Sequence, residues 1–417
     1  LSQIGNENES GRVRTAMSNA ALPEHLNKPH LRPVQPLPVQ KDGKQFIALR
    51  DPTMMSKNTM IVPSPVVRVV QMFRGEYNLD ELAQRASTTS DQLEALVRRL
   101  DELGLLWGPT FEAMERERWE ALVQAGHFPA RATLAVVEEE GASLEERIDA
   151  FFEQVEDPEL ERTPAGVLAP HLDYERGWPN YAAAYYGWRG APAPDRVVVF
   201  APNHFGLGDG VVMTELGLET PMGVCPADTK VIEAMKEKLG KAIVIDQLDH
   251  MPEHSIELQS PWLQHCFGTE VPIVPVLFPN PLEEMIQEDE ERVSIDRFVE
   301  AFSEVIESVG GKTHFVIAAD LSHAGPQFGE PRDVDDKRRH DVETLDREML
   351  GKVIDRNPDE FLEAMKWNRN PTRWDGIGPI MAAMRIWKPE EIELLDYRQA
   401  GDPDGKVLVT SAALAWY

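Results

Sequence analysis

The chain is poor in cysteine, in cationic side chains and in long apolar runs, and each shortage excludes a class of protein. Its 417 residues include 2 Cys, too few for a disulfide scaffold, and no charged-then-apolar leader precedes the proline-bearing start. Lys and Arg number 42 against 71 Asp and Glu, a formal net charge of -29, which repels phosphate groups. No run approaches the roughly 18 apolar residues of a membrane span. We therefore expect a cytoplasmic protein without nucleic-acid or membrane partners.

Length and composition indicate a folded chain of more than one unit. A length of 417 residues favours two or three units of roughly 150 residues each, with at least one large core. The content of 42% hydrophobic and 27% charged residues is too apolar for wholesale disorder.

The first 108 residues divide into a leader and a small module. Residues 1–45 are polar, carry prolines between Pro23 and Pro38, and show no apolar period, which predicts a flexible or extended leader. Residues 46–108 contain strand-like pieces and three helix-like stretches, at 65–73, 79–86 and 90–103. This combination predicts a small winged-helix module.

The charge of the module favours a protein partner over DNA. Residues 68–104 carry five Arg and seven Asp or Glu, a net charge of -2, which is poor chemistry for binding DNA. We expect residues 46–108 to dock a peptide or a partner protein.

The remaining chain divides into a helical connector and an α/β domain. Residues 109–165 are rich in Glu, Ala, Arg and Leu and are expected to form a charged helical connector. From Gly166 to the end, short apolar runs alternate with helical segments. This alternation predicts an α/β domain at 166–417, with an open, mostly parallel sheet flanked by helices.

Three of the apolar runs in this domain end in unusual polar groups. Residues 166–169 lead into His171, residues 197–200 lead into His204, and residues 315–318 lead into Asp320 and His323. If the strands are parallel, these side chains gather in the crevice beyond their carboxyl ends, where ligands bind in such folds. One such histidine alone is more often a packing or capping residue, but two at equivalent strand ends favour a site.

The residue types at these strand ends are typical of a metal centre. Two imidazoles and one carboxylate on one face of an ion leave other positions open, an arrangement that suits non-haem Fe(II). No two of the residues form a short regular ligand motif, so spacing alone does not define the set.

His254 in the stretch 252–267 has two interpretations. Ile256, Leu263 and Phe267 fit one helical face, so the stretch is explained as an amphipathic helix with His254 at its exposed start. A histidine at a helix N-terminus is also a functional candidate, because the helix dipole there disfavours the protonated ring. The sequence leaves both interpretations open.

Four ordered motifs resemble those of a known family. They are Pro170-His171-Leu172-Asp173-Tyr174, Pro202-Asn203-His204, Glu253-His254-Ser255-Ile256-Glu257 and Asp320-Leu321-Ser322-His323, with Thr220-Pro221-Met222-Gly223 as a further match. Their order and spacing resemble the Memo family, also called AmmeMemoRadiSam system protein B, over residues 166–417. That family is similar in fold to class III extradiol dioxygenases, which cleave catechol-type rings with Fe(II). The N-terminal part resembles PqqD-like winged-helix domains.

The resemblance implies roles for six residues. His171 and His204 would be metal ligands, and His254, Asp320 and His323 would line the same pocket as catalytic residues. The family commonly has a Cys-Gly-x-His-Pro-Ile stretch that supplies a Cys ligand, and the matching stretch here begins at Asp375. Asp375 is therefore the candidate third ligand, although an Asp before Gly376 is equally explained as a turn residue.

The resemblance implies an oxidoreductase with a non-haem metal. Fe(II) is the expected metal, with Cu and Zn as alternatives, and the expected substrate is a small molecule with adjacent oxygen donors, such as a catechol. Two alternatives stay open. The chain could hold a metal without turnover, or it could serve as an adaptor that docks a partner through its winged-helix module.

Overall fold

The computed structural model describes residues 22–41, 43–56, 58–137, 143–206, 210–283 and 292–417. Two compact units divide the chain, Leu1–Arg116 and Glu117–Tyr417. Within the described ranges, no helix is both long enough and apolar enough to cross a membrane.

The first unit combines a three-stranded antiparallel sheet with short helices. In chain order its elements are α1 (Glu24–Asn27), β1 (Gln35–Lys41), β2 (Lys44–Arg50), β3 (Met60–Pro63), α2 (Ser64–Val70), α3 (Leu79–Ala86) and α4 (Ser90–Glu102). The sheet order is β1-β2-β3. The three predicted helices are confirmed as α2, α3 and α4, and the side chains of Asn78 and Thr89 cap the starts of α3 and α4.

The expectation of a flexible or extended leader at 1–45 misses the folded elements within residues 22–41, whereas residues 1–21 lie outside the described residues. Strand β1 pairs with β2 along its whole length, and Leu26 of α1 is buried in the core of this unit. The prolines of this segment led to the wrong prediction. Pro36 and Pro38 lie two residues apart on an edge strand, so both positions without an N–H face the same side and leave the pairing with β2 intact.

The second unit is an α/β domain. Its elements begin with α5 (Pro109–Ala125), within which the division between the units falls, and continue with β4 (His127–Phe128), α6 (Ala132–Val137), α7 (Leu144–Gln154), β5 (Gly166–Ala169), α8 (Tyr174–Tyr185), β6 (Arg196–Pro202), β7 (Val212–Met213), β8 (Gly217–Thr220), β9 (Gly223–Cys225), α9 (Thr229–Leu239), α10 (Ser260–Phe267), β10 (Ile273–Phe278), α11 (Ile295–Val309), β11 (Thr313–Ala318), β12 (His323–Ala324), α12 (Asp336–Ile354), α13 (Pro358–Asn368), α14 (Ile377–Trp387), β13 (Ile392–Gly401) and β14 (Leu408–Trp416).

The main sheet confirms the predicted fold class. Its order is β12-β14-β5-β11-β6-β10-β7, and β13 also pairs with β14. The central strands β5, β11, β6 and β10 are parallel to one another, and the flanking strands are antiparallel. All residues of β5, β6 and β10 are buried, as expected of strands covered by helices on both faces.

Aromatic packing fixes how the helices cover this sheet. The Phe200 ring of β6 packs against Phe298 and Phe302 of α11, and Phe315 of β11 stacks on Trp387 of α14 with ring centroids 3.9 Å apart. Gly166 is required here, because a Cβ at that position would lie 2.2 Å from the Phe315 ring. Because β11 pairs in parallel with both β5 and β6, the carboxyl ends of these three strands lie at the same edge.

The segment expected to be a helical connector, 109–165, is in part an integral piece of the second unit. Strand β4 pairs with β8, and Phe128 is buried. The backbone N–H groups of Arg131, Ala132 and Thr133 all donate to the Glu257 carboxylate. A two-residue strand and a carboxylate more than 120 positions away leave no periodic pattern, so the sequence could show only the helices.

Candidate metal centre

Loops that follow three neighbouring parallel strands bring the candidate residues together. His171 lies two residues beyond β5, His204 two beyond β6, and Asp320 two beyond β11. Asp375 follows none of these strands and lies on the loop before α14. Gly376 lets this loop approach β11, since a Cβ there would lie 2.3 Å from the Ala319 side chain.

His171 is the most buried of the histidines in the cluster. Its side chain is 3% exposed, and its Nε2 lies 3.1 Å from Asp375 Oδ2 and 3.7 Å from Asp320 Oδ2. Its backbone N–H donates to Asp320 Oδ1 at 3.0 Å. Asp320 therefore braces the loop that carries His171.

His204 is oriented by a carboxylate that the sequence reasoning did not single out. Its backbone N–H donates to Glu253 Oε2 at 2.9 Å, and its Nδ1 lies 3.1 Å from Glu253 Oε1. Glu253 also accepts the backbone N–H groups of His254 and Ser255. Because a carboxylate accepts at Nδ1, that nitrogen carries a proton, and Nε2 is directed towards Asp375 Oδ2 at 3.6 Å.

Asp375 is the centre of the cluster. Its Oδ2 is within 3.7 Å of Nε2 of His323 as well as contacting the two histidines above. Its other oxygen, Oδ1, is buried and has no hydrogen-bond partner among the described residues. The turn interpretation of this residue is thus insufficient, because a turn aspartate would not need to point into a group of imidazoles.

His254 and His323 also lie close to the group. The His254 ring centroid is 5.2 Å from that of His204 and 5.6 Å from that of His171. His323 Nδ1 lies 3.1 Å from the Arg373 carbonyl oxygen, so Nδ1 is the donor in this contact and Nε2 is the ring nitrogen that faces Asp375. No hydrogen bond joins Asp320 to His323 within the described ranges, and it is the Arg373 carbonyl that orients His323.

The helix predicted around His254 is confirmed only in its second part. Residues Glu257–Gln259 form a 3-10 turn, and α10 begins at Ser260. His254 precedes both, so its position owes more to the Glu253 contacts than to a helix start.

The electrostatics of the cluster favour bound positive charge. Burial lowers the pKa of His171, but the charges of Asp320 and Asp375 outweigh it and the pKa is raised. Burial likewise opposes protonation of His204, and Glu253 outweighs it, so that pKa is raised well above its usual value. Burial raises the pKa of Asp375, yet the neighbouring His171 reverses the effect and the pKa is lowered.

These donors fit a metal ion. Two overlapping sets each offer one ligand atom per residue within 4.8 Å of one another, namely His171 with His204 and His254, and His171 with Asp320 and Asp375. The Oδ1 of Asp375, which has no hydrogen-bond partner among the described residues, and the raised pKa values of His171 and His204 indicate that the cluster attracts positive charge. A divalent ion can take the place of the protons, since metal binding requires neutral imidazole.

A cavity of about 500 Å³ opens onto the cluster. His171, His204, His254, Asp320 and His323 all line it, together with apolar side chains such as Leu258, Phe328 and Val409. Asp173 lies at its rim, where it caps α8 and pairs with Arg176. This residue is therefore a helix cap and adds no ligand.

A largely parallel α/β sheet with imidazole and carboxylate groups gathered at its carboxyl edge defines an α/β protein with a candidate metal centre. Comparison with known proteins identifies the family within this class of protein. The family model described as Memo-like protein matches residues 130–415, and the chain belongs to this family. The match begins earlier than Gly166, in agreement with the contribution of α6 to the second unit, where the backbone N–H groups of Ala132 and Thr133 donate to Glu257.

Relatives in archaea show the same similarity. The chain is 29% identical over 269 residues to a MEMO1 family protein of Pyrococcus horikoshii, covering 62% of this chain and 88% of that one. It is 30% identical over 254 residues to one of Methanococcoides burtonii, covering 60% and 84%. A third relative, from Methanopyrus kandleri, is 31% identical over 249 residues, covering 58% and 79%.

Proposed function

We propose that this chain is a non-haem metal-dependent oxidoreductase whose metal is held by His171, His204 and Asp375. The observation that supports this most directly is the buried Asp375 carboxylate. Its Oδ2 lies 3.1 Å and 3.6 Å from Nε2 of His171 and His204, and its Oδ1 has no partner in the part of the chain that the structure describes. Two imidazoles and a hard carboxylate favour Fe(II), with Cu or Zn as alternatives.

The proposed substrate is a small molecule with adjacent oxygen donors, such as a catechol. The cavity of about 500 Å³ suits a ligand of this size, and its apolar walls suit a ring. The metal ion, when bound, supplies a redox-active Lewis acid that brings such a substrate and dioxygen together.

The surrounding side chains have distinct roles in this proposal. His323 Nε2 accepts a proton from a substrate hydroxyl, because the Arg373 carbonyl holds the ring with Nδ1 as the donor. His254 lines the cavity beside His204 and donates a hydrogen bond to negative charge that develops on oxygen. Asp320 holds the His171 loop in place through the backbone N–H.

Metal content is the first test. Protein prepared without air and loaded with Fe(II) should hold iron in the parent and in a His340→Ala control, which replaces an exposed histidine on α12. His171→Ala, His204→Ala and Asp375→Ala should lose the iron while keeping the fold by circular dichroism. Parent-like iron loading in all three variants would refute the ligand assignment.

Oxygen consumption is the second test. Iron-loaded parent mixed with catechols should consume dioxygen, and His323→Ala should retain iron while losing this activity. Iron binding without oxygen uptake across a panel of catechols would favour the alternative, a metal-binding protein without turnover on such compounds.

A further inference from the structure

A buried carboxylate outside the cavity contacts two of the loops that carry the site, the one with Asp320 and His323 and the one with Asp375. Asp346 lies in the middle of α12 and is fully buried. Its Oδ1 accepts hydrogen bonds from Ser322 Oγ at 2.5 Å and from Trp374 Nε1 at 2.7 Å. Ser322 directly precedes His323, and Trp374 directly precedes Asp375.

The other oxygen of this carboxylate is held by the sheet. Asp346 Oδ2 accepts from Thr410 Oγ1 of β14 at 2.6 Å and from Tyr397 OH of β13 at 2.8 Å. Within the described ranges, no salt bridge reaches Asp346. Burial raises its pKa, and the four donors oppose that effect. A carboxylate in this position is tolerated because both of its oxygens are fully used as acceptors.

The two loops are also tied directly to each other, at the level of this carboxylate. The backbone N–H of His323 donates to the Thr372 carbonyl at 2.6 Å, and Trp374 Nε1 lies 3.2 Å from Ser322 Oγ. The Ser322 backbone N–H donates to Thr410 Oγ1 at 2.8 Å. Asp346 therefore holds Ser322 and Trp374 in one cluster, and this cluster fixes the positions of His323 and Asp375 against α12 and β14.

We propose that Asp346 is a positioning residue that sets the geometry of the metal centre by fixing the two site loops through Ser322 and Trp374. The inference rests on the proposed function in one respect, since the centre it positions is the proposed one. It adds a requirement that the ligands alone do not carry: metal affinity depends on a carboxylate that touches neither the cavity nor the ion.

Three substitutions separate positioning from general stabilisation. Ser322→Ala and Trp374→Phe each remove a donor that comes from a site loop. Tyr397→Phe removes a donor to the same carboxylate from β13, which carries no site residue, and it is the matched control. Asp346→Asn tests the carboxylate itself, because an amide presents an NH₂ group to donors that require an acceptor.

The measurement is the dissociation constant for Co(II), a spectroscopic substitute for Fe(II), by competition with a chelator. We expect Ser322→Ala, Trp374→Phe and Asp346→Asn to bind Co(II) about 10- to 100-fold more weakly than the parent, as is usual when a residue that orients a ligand is lost. Tyr397→Phe should keep the parent affinity, although its melting temperature falls as well. Equal affinities in all variants, or an equal loss in Tyr397→Phe, would overturn the proposal.

A metal-free readout keeps the two proposals distinguishable. In crystals without metal, the distance from Asp375 Oδ2 to His171 Nε2, here 3.1 Å, should increase in Ser322→Ala and Trp374→Phe and stay the same in Tyr397→Phe. An unchanged distance in all variants would overturn the positioning role. A parent that binds no metal would instead refute the proposed function, and the distances would still decide the role of Asp346.

Discussion

At the residue scale, the proposed third ligand position carries an acid, Asp375. The family resemblance implies a Cys there, and Asp375 replaces a soft thiolate with a hard carboxylate. The three histidine Nε2 atoms within 3.7 Å of its Oδ2 make this exchange chemically consequential. We infer that the choice of metal in this chain is controlled by this position.

Restoring the family's thiolate should change the metal preference. We expect Asp375→Cys to shift the ratio of Zn²⁺ to Fe(II) affinity towards Zn²⁺ by on the order of tenfold, or about 1.4 kcal/mol, because thiolate selects softer ions. Competition titrations measure the ratio, and a thiolate-to-Co(II) charge-transfer band reports direct ligation. Asp173→Cys, which places a thiol at the cavity rim, is the control and should show neither effect.

Glu253 should matter for metal binding although it is not a ligand in the proposal. Glu253→Gln places an NH₂ group among N–H donors and disturbs the His204 ring, so metal affinity should fall about 10- to 100-fold. Glu257→Gln is a matched control, because that buried carboxylate also accepts several N–H groups, from residues 131–133. It should destabilise the fold by about 1 to 3 kcal/mol at unchanged metal affinity, measured by chelator competition and denaturant unfolding. A parent-like affinity in Glu253→Gln would show that His204 needs no such support.

The histidines of the site are easier to predict from the sequence than the carboxylates that hold them in place. His171 and His204 could be predicted because strand ends in a parallel sheet converge on one edge. Asp375 follows no strand of this sheet and was reached only through the family resemblance. Glu253 and Asp346 act through hydrogen bonds to residues distant in sequence, and no local pattern encodes such a partner.

At the scale of elements, long periodic segments were predictable and short irregular ones were not. The repeating leucines of α4 and the capping side chains Asn78 and Thr89 act locally, and the corresponding helices lie where the pattern places them. Strand β4 has two residues, and strand β1 contains two prolines. Both exist because a neighbouring strand pairs with them, which is a tertiary effect that outweighs local propensity.

One short element should make the fold acid-sensitive. His250, at the end of the 3-10 helix Gln247–His250, is 2% exposed and stacks on Phe128 of β4. Burial lowers its pKa to about 4, against about 6.5 in an unfolded chain. The unfolded state therefore binds the proton more tightly, so this residue reduces stability progressively as the pH falls from about 6.5 towards 4.

The loss of stability due to His250 can be measured by comparing the parent with a variant that lacks this imidazole. We expect it to reach on the order of 3 kcal/mol near pH 4, measured as the free energy of unfolding of the parent minus that of His250→Phe across this pH range. The aromatic replacement keeps the stacking on Phe128 and cannot take up a proton. His340→Phe, at an exposed position, should reproduce the parent's pH profile. A parent-minus-His250→Phe difference that does not vary with pH would contradict the assignment.

At the scale of the whole molecule, the two units have separate hydrophobic cores. The core of the first unit draws on residues between Leu26 and Leu106, and the main core of the second on residues between Leu168 and Trp416. Every residue proposed to bind metal or substrate lies in the second unit, which is also where the family model matches. Separate cores allow one unit to be removed without opening the other.

Deleting Leu1 to Gly108 should therefore leave the metal centre intact. The deleted chain begins at Pro109, the first residue of α5, and keeps every element of the second unit. We expect its Fe(II) content and Co(II) affinity to match those of the full chain within about twofold, because all the ligands and their supports are retained. Loss of metal binding on deletion would show that the second unit needs the first to form its centre, and would contradict the independence that the two cores imply.

We also propose that residues 46–108 dock a peptide or partner protein. An affinity capture that recovers a partner with the full chain should therefore recover none with the deleted chain.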